Sequence, residues 1–252
     1  MKNIKKLVLG VLALSMALSS CSTENEIGST VTVYPIITLS GDDPYFVEAG
    51  GSFTDPGAVA TIGDEEVPIE TEFVGRYRGN VSTTLDTNIS DIYNLNYTAI
   101  NEDGFEAVAS RQVIVAKTGD LVNSIEGLYT STVFRNGVQG SPASAYTDIE
   151  YILIWKNADG TYEMSDSFGG WYLFGRAIAE SETAGGVIVA NDITTNNFSF
   201  PGTQTNRYFG GTSEITGMTV DPVAKTINVT TTWLAPPSSN YTFTFTLTQV
   251  QL

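Results

Sequence analysis

Beyond residue 20 the apolar and polar positions alternate with a period of two, and turn residues separate the alternating runs. No 12-residue window there sustains a 3.6-residue apolar period, so the pattern predicts an all-β chain. The clearest run lies near the C-terminus, where Tyr241, Phe243, Phe245 and Leu247 alternate with Thr242, Thr244, Thr246 and Thr248. One face is built for a core and the other for water. Ile227 and Val229 against Asn228 and Thr230 predict its neighbour. In the first half, Tyr93, Leu95, Tyr97 and Ala99 alternate with Asn94, Asn96 and Thr98. The turn Asn101-Glu102-Asp103-Gly104 then sends 105–116 back as a hairpin partner, with Val108, Val113 and Val115 as core candidates. Further strands are predicted at 31–39, 128–134, 148–156, 161–165, 171–178, 186–190 and 212–221, with Asn157-Ala158-Asp159-Gly160 as a hairpin signal.

Composition agrees with a folded chain: 42% of the 252 residues are hydrophobic and 11% aromatic. Charge narrows the partners. The net charge is −16, and 9 basic against 28 acidic residues remain after the first 20 positions, which repels phosphate backbones and makes nucleic acid an improbable partner. Histidine is absent, which removes the commonest general base and metal ligand. Lys117, Lys156 and Lys225 all fall beside turns, so a serine–lysine pair has little support either. The chain therefore reads as non-catalytic, with no cofactor and no metal. The acidic residues of the first half (Asp42, Asp43, Glu48, Asp55, Asp64, Glu65, Glu66) lack the spacing of a calcium loop and read as a solvated rim.

The N-terminus carries an address. Lys2, Lys5 and Lys6 precede an apolar stretch over 7–18, too short to span a bilayer, as in an export signal. Leu18-Ser19-Ser20-Cys21 resembles the bacterial lipobox, which implies cleavage before Cys21 and acylation of this only cysteine, a durable anchor. The acidic Glu24 and Glu26 that follow resemble, loosely, surface-export signals of Bacteroidota lipoproteins. The expected address is the outer membrane, facing outward. This divides the chain into a signal peptide (1–20), a lipidated tether (21–32), a first β-domain (33–117), a linker (118–122) centred on Lys117-Thr118-Gly119-Asp120, and a second β-domain (123–252).

Val47-Glu48-Ala49-Gly50, Phe53-Thr54-Asp55-Pro56-Gly57-Ala58 and Tyr97-Thr98-Ala99 with its Val113-Ile114-Val115 ending resemble the bacterial immunoglobulin-like repeat. That repeat is known from a pesticidal crystal protein and from many Bacteroidota surface lipoproteins. The resemblance implies a β-sandwich serving as spacer or adhesive unit. Residues 159–166 with Gly169-Gly170-Trp171-Tyr172 and Gly175-Arg176 resemble the C-terminal, lipocalin-like domain of Bacteroidota lipoproteins that carry the same module. This implies an up-and-down β-barrel-like fold of about eight strands and no known activity.

Candidate binding residues come from glycine-flanked aromatics, since sugar rings present apolar faces that stack on Trp and Tyr while their hydroxyls need polar partners. Gly169-Gly170-Trp171-Tyr172 and Asn206-Arg207-Tyr208-Phe209-Gly210 combine these types, and Trp233 before Pro236-Pro237 is a third place. For Trp171 and Tyr208 the alternative is a core ring. Trp155, inside Tyr151-Ile152-Leu153-Ile154-Trp155, reads as core. Arg176 either meets a ligand carboxylate or caps the barrel end. The leading expectation is a surface lipoprotein binding glycan, or another extracellular ligand, as an accessory of a polysaccharide-uptake system. The alternative is a structural or adhesive envelope protein that docks other envelope proteins and has no small-molecule site.

Overall fold

Two sheets pack face to face in the first half of the chain. A computed structural model describes residues 32–79, 81–136 and 145–252, so the signal segment, the lipidation expected at Cys21 and the tether up to residue 31 lie outside the described residues. The smaller sheet has the order β1 (Ile36–Leu39), β3 (Ala58–Ile62), β4 (Glu65–Val67). The larger has the order β2 (Tyr45–Glu48), β8 (Glu106–Ala116), β7 (Asp91–Ile100), β5 (Glu70–Gly75), β6 (Val81–Ser82), with β2 parallel to β8. Between them lie Val47, Phe73, Tyr93, Leu95, Tyr97, Val113 and Val115. This is the immunoglobulin-like sandwich.

Register corrects one core assignment. Leu95 faces Arg111 and Tyr97 faces Ala109, so the odd positions of β8 point inward and Val108 points out, 55% exposed. The predicted strand at 31–39 is confined to Ile36–Leu39. Arg111 itself is 1% exposed inside the sandwich. Its guanidinium donates to the carbonyls of Ser40 and Gly57 and lies 5.9 Å from the Tyr97 ring centroid. The Tyr97 hydroxyl donates to Asp55 Oδ1 at 2.5 Å, and the same oxygen accepts the Gly57 N–H at 2.8 Å. The Asp-Pro-Gly string is therefore a clasp between the two sheets, and Asp55 is a structural acceptor.

Among the described residues the second half is one nine-stranded sheet, curled into a half-barrel. Its strands are β9 (Gly127–Arg135), β10 (Ala145–Lys156), β11 (Tyr162–Met164), β12 (Gly185–Asp192), β13 (Asn197–Ser199), β14 (Gln204–Asn206), β15 (Gly210–Asp221), β16 (Thr226–Ala235) and β17 (Ser239–Gln249). The order is β13-β12-β11-β10-β9-β17-β16-β15-β14, so the first and last strands pair and the seam falls between the short β13 and β14. Side chains bridge near that seam: Asn206 Nδ2 donates to the Ser181 carbonyl at 2.6 Å and to Thr183 Oγ1 at 2.9 Å, and Val220 N–H donates to Asn196 Oδ1 at 2.6 Å. The interior is filled by Tyr129, Ile152, Ile154, Met164, Phe168, Phe243, Phe245 and their neighbours.

The strand predicted at 171–178 is instead a π-helical turn, Trp171–Gly175. Gly169 and Gly170 precede it at φ 62° and 82°, a left-handed step that breaks any extended run. A Cβ on Gly169 would sit 2.6 Å from the Phe245 ring, so this step also needs the absence of a side chain.

Residues 34–252 form one compact unit, and the two sheet systems share a cluster. Ile92, Ile114 and Ala116 of the sandwich pack on Leu128, Leu153 and Trp155 of the half-barrel. The uninterrupted apolar run ending at Trp155 reflects burial on both faces: Ile152 and Ile154 enter the barrel core while Leu153 and Trp155 enter the shared cluster. The connecting segment is pinned. Gly119 N–H donates to the Glu126 carbonyl, Gln249 Nε2 donates to the Gly119 carbonyl at 2.8 Å, and Leu121 is buried.

Candidate functional site

At one end of the half-barrel the π-helical turn, the β14–β15 loop and the β16–β17 hairpin bring aromatic side chains together from three parts of the chain. Tyr208 is outermost, 64% exposed, with its ring 4.8 Å from Phe209. Phe209 lies 4.9 Å from Tyr172 and 6.2 Å from Trp233. Tyr172 and Trp233 in turn contact Phe168 and Phe243 in the core. The result is a ladder of rings running from solvent to the barrel centre. Trp233 stacks on Tyr241 at 5.5 Å, and beside this pair a groove of about 310 Å³ opens on the outer face, with Glu214, Thr232, Leu234 and Asn240 in its lining.

The sequence candidates separate into three groups. Trp171 (5% exposed), Tyr172 and Trp233 are buried, so the reading of these rings as an exposed platform is corrected: the curl of the sheet turns them inward. Trp233 Nε1 is satisfied by the Gly210 carbonyl at 3.0 Å, whereas Trp171 Nε1 is buried without an acceptor. Tyr208 stands at the surface. Arg207 is held by Glu182 at 3.2 Å and Glu180 at 3.5 Å, and Glu182 also meets Arg76 of the sandwich at 3.4 Å. Arg176 follows the π-turn, donates its backbone N–H to the Trp171 carbonyl at 3.0 Å and has an exposed side chain.

Arg135 was not among the sequence candidates. It ends β9 with its guanidinium 5.2 Å from the Trp171 ring centroid and 5.1 Å from that of Tyr241, and its Nη1 donates to the Tyr172 hydroxyl at 3.2 Å. The available signal was scarcity: it is one of few basic residues in an acidic chain, at a predicted strand end before Asn136-Gly137.

A second polar group lies between the ladder and the sandwich. Asp166 is fully buried and accepts the N–H groups of Phe168 at 2.9 Å and Thr183 at 3.1 Å through Oδ1. Burial pushes its carboxyl up to about 6, against the pull of those N–H groups and with the help of the nearby Glu182 charge. Its Oδ2, with Ser167 Oγ and Tyr77 Oη, is buried without a partner.

Comparison with known proteins follows this division. A family model described as a bacterial surface protein, Ig-like domain, matches residues 37–115, and one described as a C-terminal domain matches 118–249. Among solved structures, the crystal structure of the lipoprotein BT2262 from Bacteroides thetaiotaomicron superposes with a TM-score of 0.58 at 26% identity, over 86% of this chain and 100% of that one. No curated protein matches the chain. The C-terminal match alone spans more than half of the sequence, and the chain belongs to the family which that domain defines, carried here behind a bacterial surface Ig-like domain.

Proposed function

We propose that this chain is a non-catalytic lipoprotein of the cell envelope, anchored through Cys21 in the outer membrane and facing outward, whose C-terminal domain binds a saccharide at the aromatic rim beside a polysaccharide-uptake system. The similarity to a Bacteroides lipoprotein and the lipobox-like Leu18-Ser19-Ser20-Cys21 support the anchor. The observation that carries the binding site is Tyr208, an exposed ring backed by Phe209 and by the buried Tyr172 and Trp233. Such a ring offers a flat apolar face at fixed orientation, and its exposure is not needed for the fold.

The test pairs affinity electrophoresis on immobilised polysaccharides with thermal melts. Tyr208→Ala should lose retention at an unchanged melting temperature, while Trp171→Ala should destabilise by about 3–5 kcal/mol as a core truncation. Absence of retention by any polysaccharide for the unmutated chain would sink the saccharide reading. The adhesive alternative draws on Ile100 and Val108, 52% and 55% exposed, which line one groove on the open half of the larger sandwich sheet.

A further inference from the structure

Three of the other described arginines reach protein oxygens with their side chains, while that of Arg176 is exposed. Arg76 and Arg207 meet Glu182, and Arg111 meets two backbone carbonyls. Arg135 differs. Its neighbours are the faces of Trp171 and Tyr241 and the hydroxyl of Tyr172, and among the described residues no carboxylate lies within ion-pair distance. Residues 137–144, which follow it, contain no Asp or Glu at all. In a chain with 28 acidic residues this is a cation kept away from the abundant counter-charge.

The aromatic frame accounts for how Arg135 is held. Ring quadrupoles attract the guanidinium without consuming its in-plane N–H donors. Only Nη1 has an acceptor, and none of the nitrogens is buried and unpartnered. The remaining donors therefore face solvent, with their orientation limited by two rings.

An independent observation lies in the same cluster. Trp171 Nε1–H is buried with no acceptor, although Trp171 is 5% exposed and carries Arg135 over its ring. An orphaned buried donor is costly, and an acceptor from outside the chain would relieve it. Arg135, Trp171 Nε1 and the Tyr172 hydroxyl make a group of donors in which the Tyr172 oxygen, taken by Arg135, is the one protein acceptor among the described residues.

We propose that Arg135 reads a carboxylate, so that the saccharide taken at the rim is an acidic one of the hexuronate class. This rests on the saccharide reading of the same rim. A planar carboxylate matches the guanidinium fork two-to-two, and the apolar face of the ring that bears it matches the exposed Tyr208. A cation is repelled by Arg135, and a neutral sugar leaves the guanidinium without its counter-charge. The acidic surface of the chain does not prevent this, because at physiological salt its field is screened over about 8 Å while the contact inside the cluster is not.

The test runs the full chain on affinity gels containing polygalacturonate, its methyl ester or a neutral galactan, and titrates free galacturonate while tryptophan fluorescence is read. Retention by polygalacturonate, at least tenfold weaker on the methyl ester and in Arg135→Gln and partly restored in Arg135→Lys, is the expected result. The methyl ester removes the charge from the ligand, so this arm holds even where the Gln variant folds poorly. Equal retention by the ester or by galactan would overturn the carboxylate assignment and leave the saccharide reading standing. An Arg135-dependent fluorescence change with free galacturonate but no polymer retention would keep the carboxylate site and remove the polysaccharide. No response in either assay overturns both.

Discussion

Tyr77 lies over Trp155 with ring centroids 6.1 Å apart and planes 24° from parallel, and the two residues belong to different modules. Around them Ile92, Ile114, Leu128 and Leu153 complete a cluster that neither module could bury alone. The shared cluster predicts that calorimetry of the intact chain shows one transition. Trp155→Ala should cost about 3–5 kcal/mol and split the trace in two as the modules uncouple. An unchanged single transition would show that the cluster does not couple them.

Although 117–120 reads as a linker, its backbone leaves no room. A Cβ on Gly119 would meet the Ser124 carbonyl oxygen at 2.4 Å and that of Glu126 at 2.9 Å. Lys117 is paired with Glu126 at 3.4 Å. Trypsin under native conditions should leave the bond after Lys117 uncut for as long as the fold persists. Gly119→Ala should destabilise by about 1–3 kcal/mol and expose that bond. An early cut at Lys117 in the unmutated chain would contradict the packing.

Asp166 predicts a pH dependence. Its ordinary value is 3.8 and burial raises it to about 6, so the folded state holds the proton more tightly than the unfolded one. The stabilisation from this group is complete below its ordinary value and is lost as pH rises through 6, amounting to roughly 3 kcal/mol. Asp166→Asn keeps the Oδ1 acceptor and carries no charge. Its melting temperature should match that of the unmutated chain near pH 4 and exceed it at pH 7.5. The exposed Asp86, Asp159 and Asp192, held below the usual carboxylate range chiefly by their own turn hydrogen bonds, act in the opposite sense and cancel in the comparison. Parallel profiles for the two proteins would exclude a buried titrating group.

The clasp in the sandwich predicts strong coupling. Tyr97→Phe removes a hydrogen bond to a carboxylate and should cost about 1.5–3 kcal/mol in urea melts. In a double-mutant cycle with Asp55→Ala the two losses should not add, because each variant removes the same contact. Additive losses would mean that the two side chains act separately.

Where one strand face meets water, the sequence was sufficient. The Thr-rich faces of β16 and β17 made those strands legible. Period two disappears where both faces are covered, so Leu153 and Trp155 signalled a core without indicating that they belong to a different one from Ile152 and Ile154. Strands of two or three residues, such as β6 and β14, are too short to show a period. Over 171–178 the aromatic and aliphatic residues resemble a strand, and only the left-handed backbone at Gly169 and Gly170 decides otherwise. At the rim, flanking glycines marked two of the segments that meet there but not which rings turn inward. Arg135 carried no signal beyond its scarcity, because its surroundings come from residues distant in the chain, Trp171, Tyr172 and Tyr241.

The parallel pairing of β2 with β8 bears on mechanics. Tyr45–Glu48 runs alongside Val113–Ala116, one strand near the entry of the sandwich and the other at its exit. Tension applied between the chain before β2 and the half-barrel after β8 draws the two strands past one another lengthwise. Their ladder is then loaded in shear, so its hydrogen bonds share the force and must break together, whereas an antiparallel hairpin pulled from its open end unzips one bond at a time. A molecule held at its N-terminal side and tugged at its far end is built to transmit that pull through the sandwich without unravelling it.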